Sequence, residues 1–218
     1  GRPTVVLVNG VTGHAAAWSG VAEVLVPSCE TIAVDLRGHG ASQWSPDHDY
    51  ATTTHARDLA AVLDALDPGP VTLVGSSWGA LVALAFAATN PDRVARVVLV
   101  DIEPSFAQGV TDVPPRPRAF ADAAEVLAFE RGRNPNAPDD VLAVVAAAGV
   151  RPAASGLEPL FDPWFFDLWP FRNDDWWGGT PNLDAVEYIF SDDIQTQITG
   201  VLGGQADAIV LFAVQGGD

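Results

Sequence analysis

The chain contains no lysine and no methionine, and only one cysteine. All eleven basic residues are therefore arginine, set against 28 acidic ones for a net charge of −17. This balance excludes nucleic-acid binding through phosphate contacts, which needs a surplus of basic side chains. It also disfavours anionic membrane surfaces. Cys29 stands alone, so an internal disulfide is excluded. No run is long and apolar enough to span a bilayer, and a cytoplasmic location is expected. No cluster of metal-ligand residues at useful spacing is visible, so neither metal nor cofactor is expected. Histidine is confined to the first 55 residues, as His14, His39, His48 and His55.

What is present is apolar and ordered. Hydrophobic residues make up 48% of 218 positions, enough for one sizeable core with an insertion. Thr4–Gly10, Thr31–Leu36, Val71–Ser76 and Val94–Asp101 are apolar, β-branched runs that read as buried strands. Between them lie helical patterns. Trp18, Val21 and Leu25 share one face, as do Leu59, Val62, Leu63 and Leu66 within 56–66. Strands alternate with helices and are continuously apolar, which predicts a mostly parallel sheet with helices on both faces. Sites in such sheets sit at the carboxyl ends of the strands, where Asn9-Gly10-Val11, Asp35, Ser77 and Asp101 fall.

Gly75-Ser76-Ser77-Trp78-Gly79 lies between the strand at 71–76 and an uncharged helical run that Asn90-Pro91 stops. A serine at a sharp strand-to-helix turn has its oxygen exposed, and flanking glycines let the two elements pass closely. The helix N-terminus favours negative charge developing there. Ser77 is thus the candidate nucleophile.

These residues, with Asn9-Gly10-Val11-Thr12-Gly13, Asp35-Leu36-Arg37-Gly38-His39-Gly40-Ala41-Ser42 and Val98-Leu99-Val100-Asp101, resemble the α/β-hydrolase superfamily. The likeness lies with its esterase, lactonase and carbon–carbon hydrolase branch. It implies an acyl-Ser77 intermediate, with the Val11 and Trp78 amides as oxyanion donors. Asp218, after the apolar run at 208–214, is the candidate acid, and Asp101 is the alternative. The family's histidine base follows the last strand, where this chain has none; His14, just past the Gly-rich loop, is the candidate within it. His39 is read as a structural hydrogen-bonding residue, and His48 and His55 as solvated. Family members usually begin with a hairpin that is also missing here. An internal portion of a longer protein is therefore expected, with a shortened, inactive relative as the alternative.

Residues 1–103 read as the first part of the core, 104–200 as a helical, aromatic-rich cap, and 201–218 as a return to the core. Within the cap, a helix is predicted over 119–131 with Phe120, Ala124 and Leu127 on one face. A second starts near Asn136–Asp140 and ends at Gly149. Eight of 19 aromatics fall between Phe161 and Trp177. Asn9, Gly10, Trp78, Trp164 and Trp169 are candidate pocket residues for a small hydrophobic substrate: an ester, a lactone or a diketone-like compound. Two other functions stay open: non-catalytic binding of a hydrophobic ligand, and a cofactor-free oxidative or peracid-forming activity. A dehalogenase or epoxide hydrolase would need a carboxylate where Ser77 stands.

Overall fold

The computed structural model of the protein describes residues 1–101 and 116–166, and the backbone of 210–211. Five parallel strands form the central sheet: β1 (Thr4–Val8), β2 (Glu30–Val34), β3 (Val71–Ser76), β4 (Val94–Val100) and the short Val210–Leu211 segment. Their spatial order is β2, β1, β3, β4 and Val210–Leu211. The register is direct, with Val8 beside both Val34 and Gly75, and Ser76 beside Val100. These strand ends therefore line up at one rim of the sheet.

Alternation along β1 divides the core between two faces. Val6 and Val8 pack with Leu59 and Leu63 of α2 (Thr52–Leu66) and with Val82 and Phe86 of α3 (Trp78–Thr89). Val5 and Leu7 turn the other way, onto Leu25 of α1 (Ser19–Leu25), Cys29, Trp18 and Val21. Helices thus cover both faces, as the continuous apolar strands require. Seven of the twelve residues of α3 are buried, which explains why that helix carries no charge.

The segment 116–166 departs from the sequence reading in two ways. Its first helix, α4, spans Ala123–Arg133 rather than 119–131. Asp122 caps it by accepting from the Glu125 amide, and the Glu125 carboxylate reaches back to the Ala121 amide. This reciprocal pairing fixes the start. Phe120 is drawn into extended pairing with Leu157 instead. The buried face of α4 is Val126 and Glu130, while Ala124 and Leu127 are exposed. Helix α5 (Asp139–Ala148) ends at Gly149 as expected. An antiparallel hairpin then follows, Val150–Ala153 with Gly156–Pro159, so this part of the insertion is not purely helical. Pro163–Phe166 form a short 3-10 turn.

Candidate active site

Ser77 occupies the junction of β3 and α3 with φ 51° and ψ −122°. Residues other than glycine rarely adopt positive φ, so this serine is held in strained backbone at the strand-to-helix turn. The surroundings enforce it. The Ser77 amide donates to the Val100 carbonyl at 2.7 Å, and the Ala80 amide donates to the Ser77 carbonyl at 2.9 Å. A Cβ on Gly75 would lie 2.3 Å from the Gly79 carbonyl oxygen, and one on Gly79 would lie 2.4 Å from that of Asn9. Both motif glycines are therefore needed for the crossing of strand, helix and loop.

The loop after β1 runs directly past Ser77. A Cβ on Gly10 would sit 3.0 Å from the Ser76 carbonyl oxygen and 3.1 Å from Ser77 Cβ. The loop is closed by the Gly13 amide donating to the Gly10 carbonyl, with Thr12 in left-handed backbone. Asn9 is buried and committed to this turn: its Nδ2 donates to the Gly10 carbonyl, and its Oδ1 accepts from the Leu36 amide. Asn9 thus holds the loop through both ends of its side-chain amide.

A second turn braces the first. Asp35 Oδ1 accepts from the Ala15 amide at 2.6 Å and Oδ2 from the Ala41 amide at 3.0 Å. Gly40, with φ 53°, leaves room for that carboxylate, which a Cβ would strike at 2.2 Å. Arg37 makes a two-pronged ion pair with Asp58 of α2. The sequence placed Asp35 at the carboxyl end of its strand without giving it a role, and did not single out Asp58; both roles emerge from the packing of the turn.

Trp78 begins α3, and its Nε1 donates to Thr52 Oγ1 at 3.0 Å. Its ring stands edge-on to His55 at 4.5 Å. Tyr50, Phe161 and Phe165 form a buried aromatic cluster against which Val11, Trp78 and Trp164 pack. The residue types proposed for oxyanion donors and pocket wall thus meet in one region. Trp169 and Asp218 lie outside the described residues. Asp101 directly follows β4, whose last residue Val100 pairs with Ser76, and is in left-handed backbone with φ 57°. It is exposed overall, yet desolvation raises its carboxyl above the ordinary range.

The histidines sort differently from the sequence reading. His55 is not solvated: it is wholly buried in α2, and neither ring nitrogen has a hydrogen-bond partner among the described residues. Burial lowers its pKa to about 3. His39 is also wholly buried, its Nδ1 bonded to the Arg37 carbonyl, and burial lowers it to about 4. His48 is half-exposed beside Asp162. His14 is buried, and burial lowers its pKa below the ordinary value. Its Nε2 lies 3.0 Å from where a Gly149 Cβ would be, at the end of α5. Among the described residues, no hydrogen bond joins Ser77 to any histidine.

A family model described as the alpha/beta hydrolase fold matches residues 3–171. The chain is 34% identical over 163 residues to the 2-(acetamidomethylene)succinate hydrolase of Mesorhizobium japonicum, covering 72% of this chain and 58% of that protein. It is 41% identical over 107 residues to the esterase Rv0045c of Mycobacterium tuberculosis, covering 49% of this chain and 35% of that protein. The crystal structure of E-2-(acetamidomethylene)succinate hydrolase superposes with a TM-score of 0.63 at 31% identity, over 74% of this chain and 62% of that one. The chain therefore spans less than two thirds of the length of these relatives.

Proposed function

Because this chain belongs to the α/β-hydrolase fold family, we propose that it is the nucleophile-bearing part of a serine hydrolase acting by acyl transfer to water. The observation that carries the reading is the strained Ser77 at the β3–α3 junction, with Gly10 packed against it. Ser77 Oγ attacks the acyl carbon and gives its proton to a histidine base. The oxyanion is held by the Val11 and Trp78 amides. Collapse expels the leaving group, which takes the proton back, and water then cleaves the acyl-Ser77 ester.

Asp101 is the acid that the described geometry supports best, since it emerges from the strand whose carbonyl holds the Ser77 amide. The aromatic cluster around Trp78 and Trp164 supports a small to medium substrate with an apolar acyl part. The relatives named above are a hydrolase of an acetamido-bearing succinate and an esterase, so ester and amide carbonyls are the bonds to try first.

One observation favours a second reading, a ligand-binding relative without turnover: no described histidine is bonded to Ser77. Intact-mass analysis after fluorophosphonate treatment separates the two. Stoichiometric labelling that disappears in Ser77→Ala is the expected result. Absence of labelling in the parent chain overturns the hydrolase reading in favour of the second.

A further inference from the structure

A second cleft is lined by neither Ser77 nor Trp78, and shares only Trp164 with the aromatic cluster that packs against Trp78. The loop between β2 and α2 faces the segment 161–166 across a space of about 540 Å³. Trp44, Pro46, His48, Asp162, Pro163 and Trp164 line it.

Its polar centre is built rather than incidental. The Asp162 carboxylate is buried behind His48, with 6% of its side chain exposed. Oδ2 accepts from the Tyr50 hydroxyl, and Oδ1 accepts from the Trp164 amide at 2.9 Å. The Asp162 amide donates to the Gly38 carbonyl at 2.8 Å, which pins the residue to the core. His48 Nδ1 lies 3.4 Å from Oδ2. Nδ1 faces an oxygen that already accepts from Tyr50, which favours the neutral tautomer with its proton on Nδ1 and makes Nε2 the acceptor of that form. The half-exposed ring is stacked on Trp164, with centroids 5.5 Å apart and planes 5° from parallel. His48 holds this pose in left-handed backbone with φ 55°, which disfavours most side chains.

The walls are aromatic and stiff. The Arg151 guanidinium covers Trp44 at 4.9 Å from the ring centroid and is itself paired with Glu158. Two prolines complete the lining. Charge selects against anions: Asp47 and Asp162 lie at the cleft and its rim, and the chain carries −17. A cation gains little from Asp162, whose oxygens already accept from Tyr50 and Trp164 and face His48. The remaining offer is π surface plus one acceptor, His48 Nε2.

We propose that this cleft is a second ligand site, taking a neutral planar ring that bears one O–H or N–H donor, as a phenol does. The ring lies against the indoles, and its donor hydrogen-bonds to His48 Nε2. Stacking and a desolvated hydrogen bond act together, so loss of either lowers affinity about tenfold.

The test is a titration of the full chain at pH 8 with phenol, followed by the His48 Cε1–H resonance. Of the four histidines, His48 alone is half-exposed, which separates its signal from those of buried His14, His39 and His55. Anisole keeps the ring without the donor, and cyclohexanol keeps the donor without the ring. Saturable phenol binding that weakens about tenfold for both analogues and in Trp44→Ala supports the proposal. Calorimetry extends the test to His48→Phe, which keeps a ring but offers no acceptor and is expected to lose the preference for phenol over anisole. No saturation, or phenol binding undiminished in Trp44→Ala and His48→Phe, overturns it. Because Ser77 takes no part, failure here leaves the fluorophosphonate result untouched, and the converse also holds.

Discussion

Gly10 leaves no room for a side chain beside Ser77: a Cβ on Gly10 would lie only 3.1 Å from Ser77 Cβ. Two segments 67 positions apart in sequence are thereby set side by side, one holding the candidate nucleophile and the other the Val11 amide. Gly10→Ala forces the loop outward by a few tenths of an ångström. Oxyanion donors tolerate little displacement, and full loss of one costs about a hundredfold or more. The expected outcome is a fluorophosphonate labelling rate reduced about tenfold, with a melting temperature close to the parent's. An unchanged rate would show that this loop does not serve Ser77.

Gly79 tests the fold rather than the chemistry. Its Cβ position lies 2.4 Å from the Asn9 carbonyl oxygen and 2.5 Å from that of Val8, both backbone atoms that cannot swing aside. Gly79→Ala is expected to cost about 3 kcal/mol or more by overpacking, read as a lower urea midpoint or loss of soluble protein. Gly132→Ala is the control, because nothing lies within 4 Å of its Cβ position.

Asp101→Asn separates charge from shape. Desolvation holds the Asp101 carboxyl above its usual range, so its ionised form is disfavoured in the folded chain. An acid raised in this way weakens the fold once pH passes its unfolded value. The amide is therefore expected to leave stability unchanged or slightly higher at pH 7. If Asp101 orients the base, labelling of Ser77 slows by about two orders of magnitude or more. Unchanged labelling would remove Asp101 from the site.

His39 and His55 make stability pH-dependent. In the unfolded chain each binds a proton near pH 6.5, whereas burial lowers the folded values to about 4 and about 3. Between these limits the unfolded state holds more protons, so stability falls as pH falls. The contribution is complete above pH 6.5 and is lost progressively toward pH 3, on the order of a few kcal/mol for the coupled pair. Urea melts at pH 7 and pH 5 measure it. His55→Phe keeps a ring and removes two nitrogens that have no hydrogen-bond partner among the described residues. It is expected to preserve stability at pH 7 and to flatten the slope between the two conditions. A slope as steep as the parent's would assign the pH dependence to other groups.

Periodicity alone determined the sheet and its helices. Val5 to Val8 are apolar on both faces because both faces are covered, and a run such as Val71–Ser76 has no other stable place in water. Gly75 and Gly79 announced the turn at Ser77 because only a residue without Cβ fits where backbones cross. The start of α4 was open to misreading: Phe120 carries a helical pattern, but pairing with Leu157, 37 positions later, and the Asp122 cap override it. His55 looked polar and therefore exposed, yet its place on α2 turns it into the aromatic cluster beside Tyr50 and Trp78. Asp162 gave no signal at all, since its two donors come from Tyr50 and its own turn and its neighbour His48 comes from a distant loop. Local pattern fixes which elements form, because propensity and burial act over a few residues. Which side chains meet across more than a hundred positions, as Tyr50 and Asp162 do, is decided only when the chain closes and each buried polar group must find a partner.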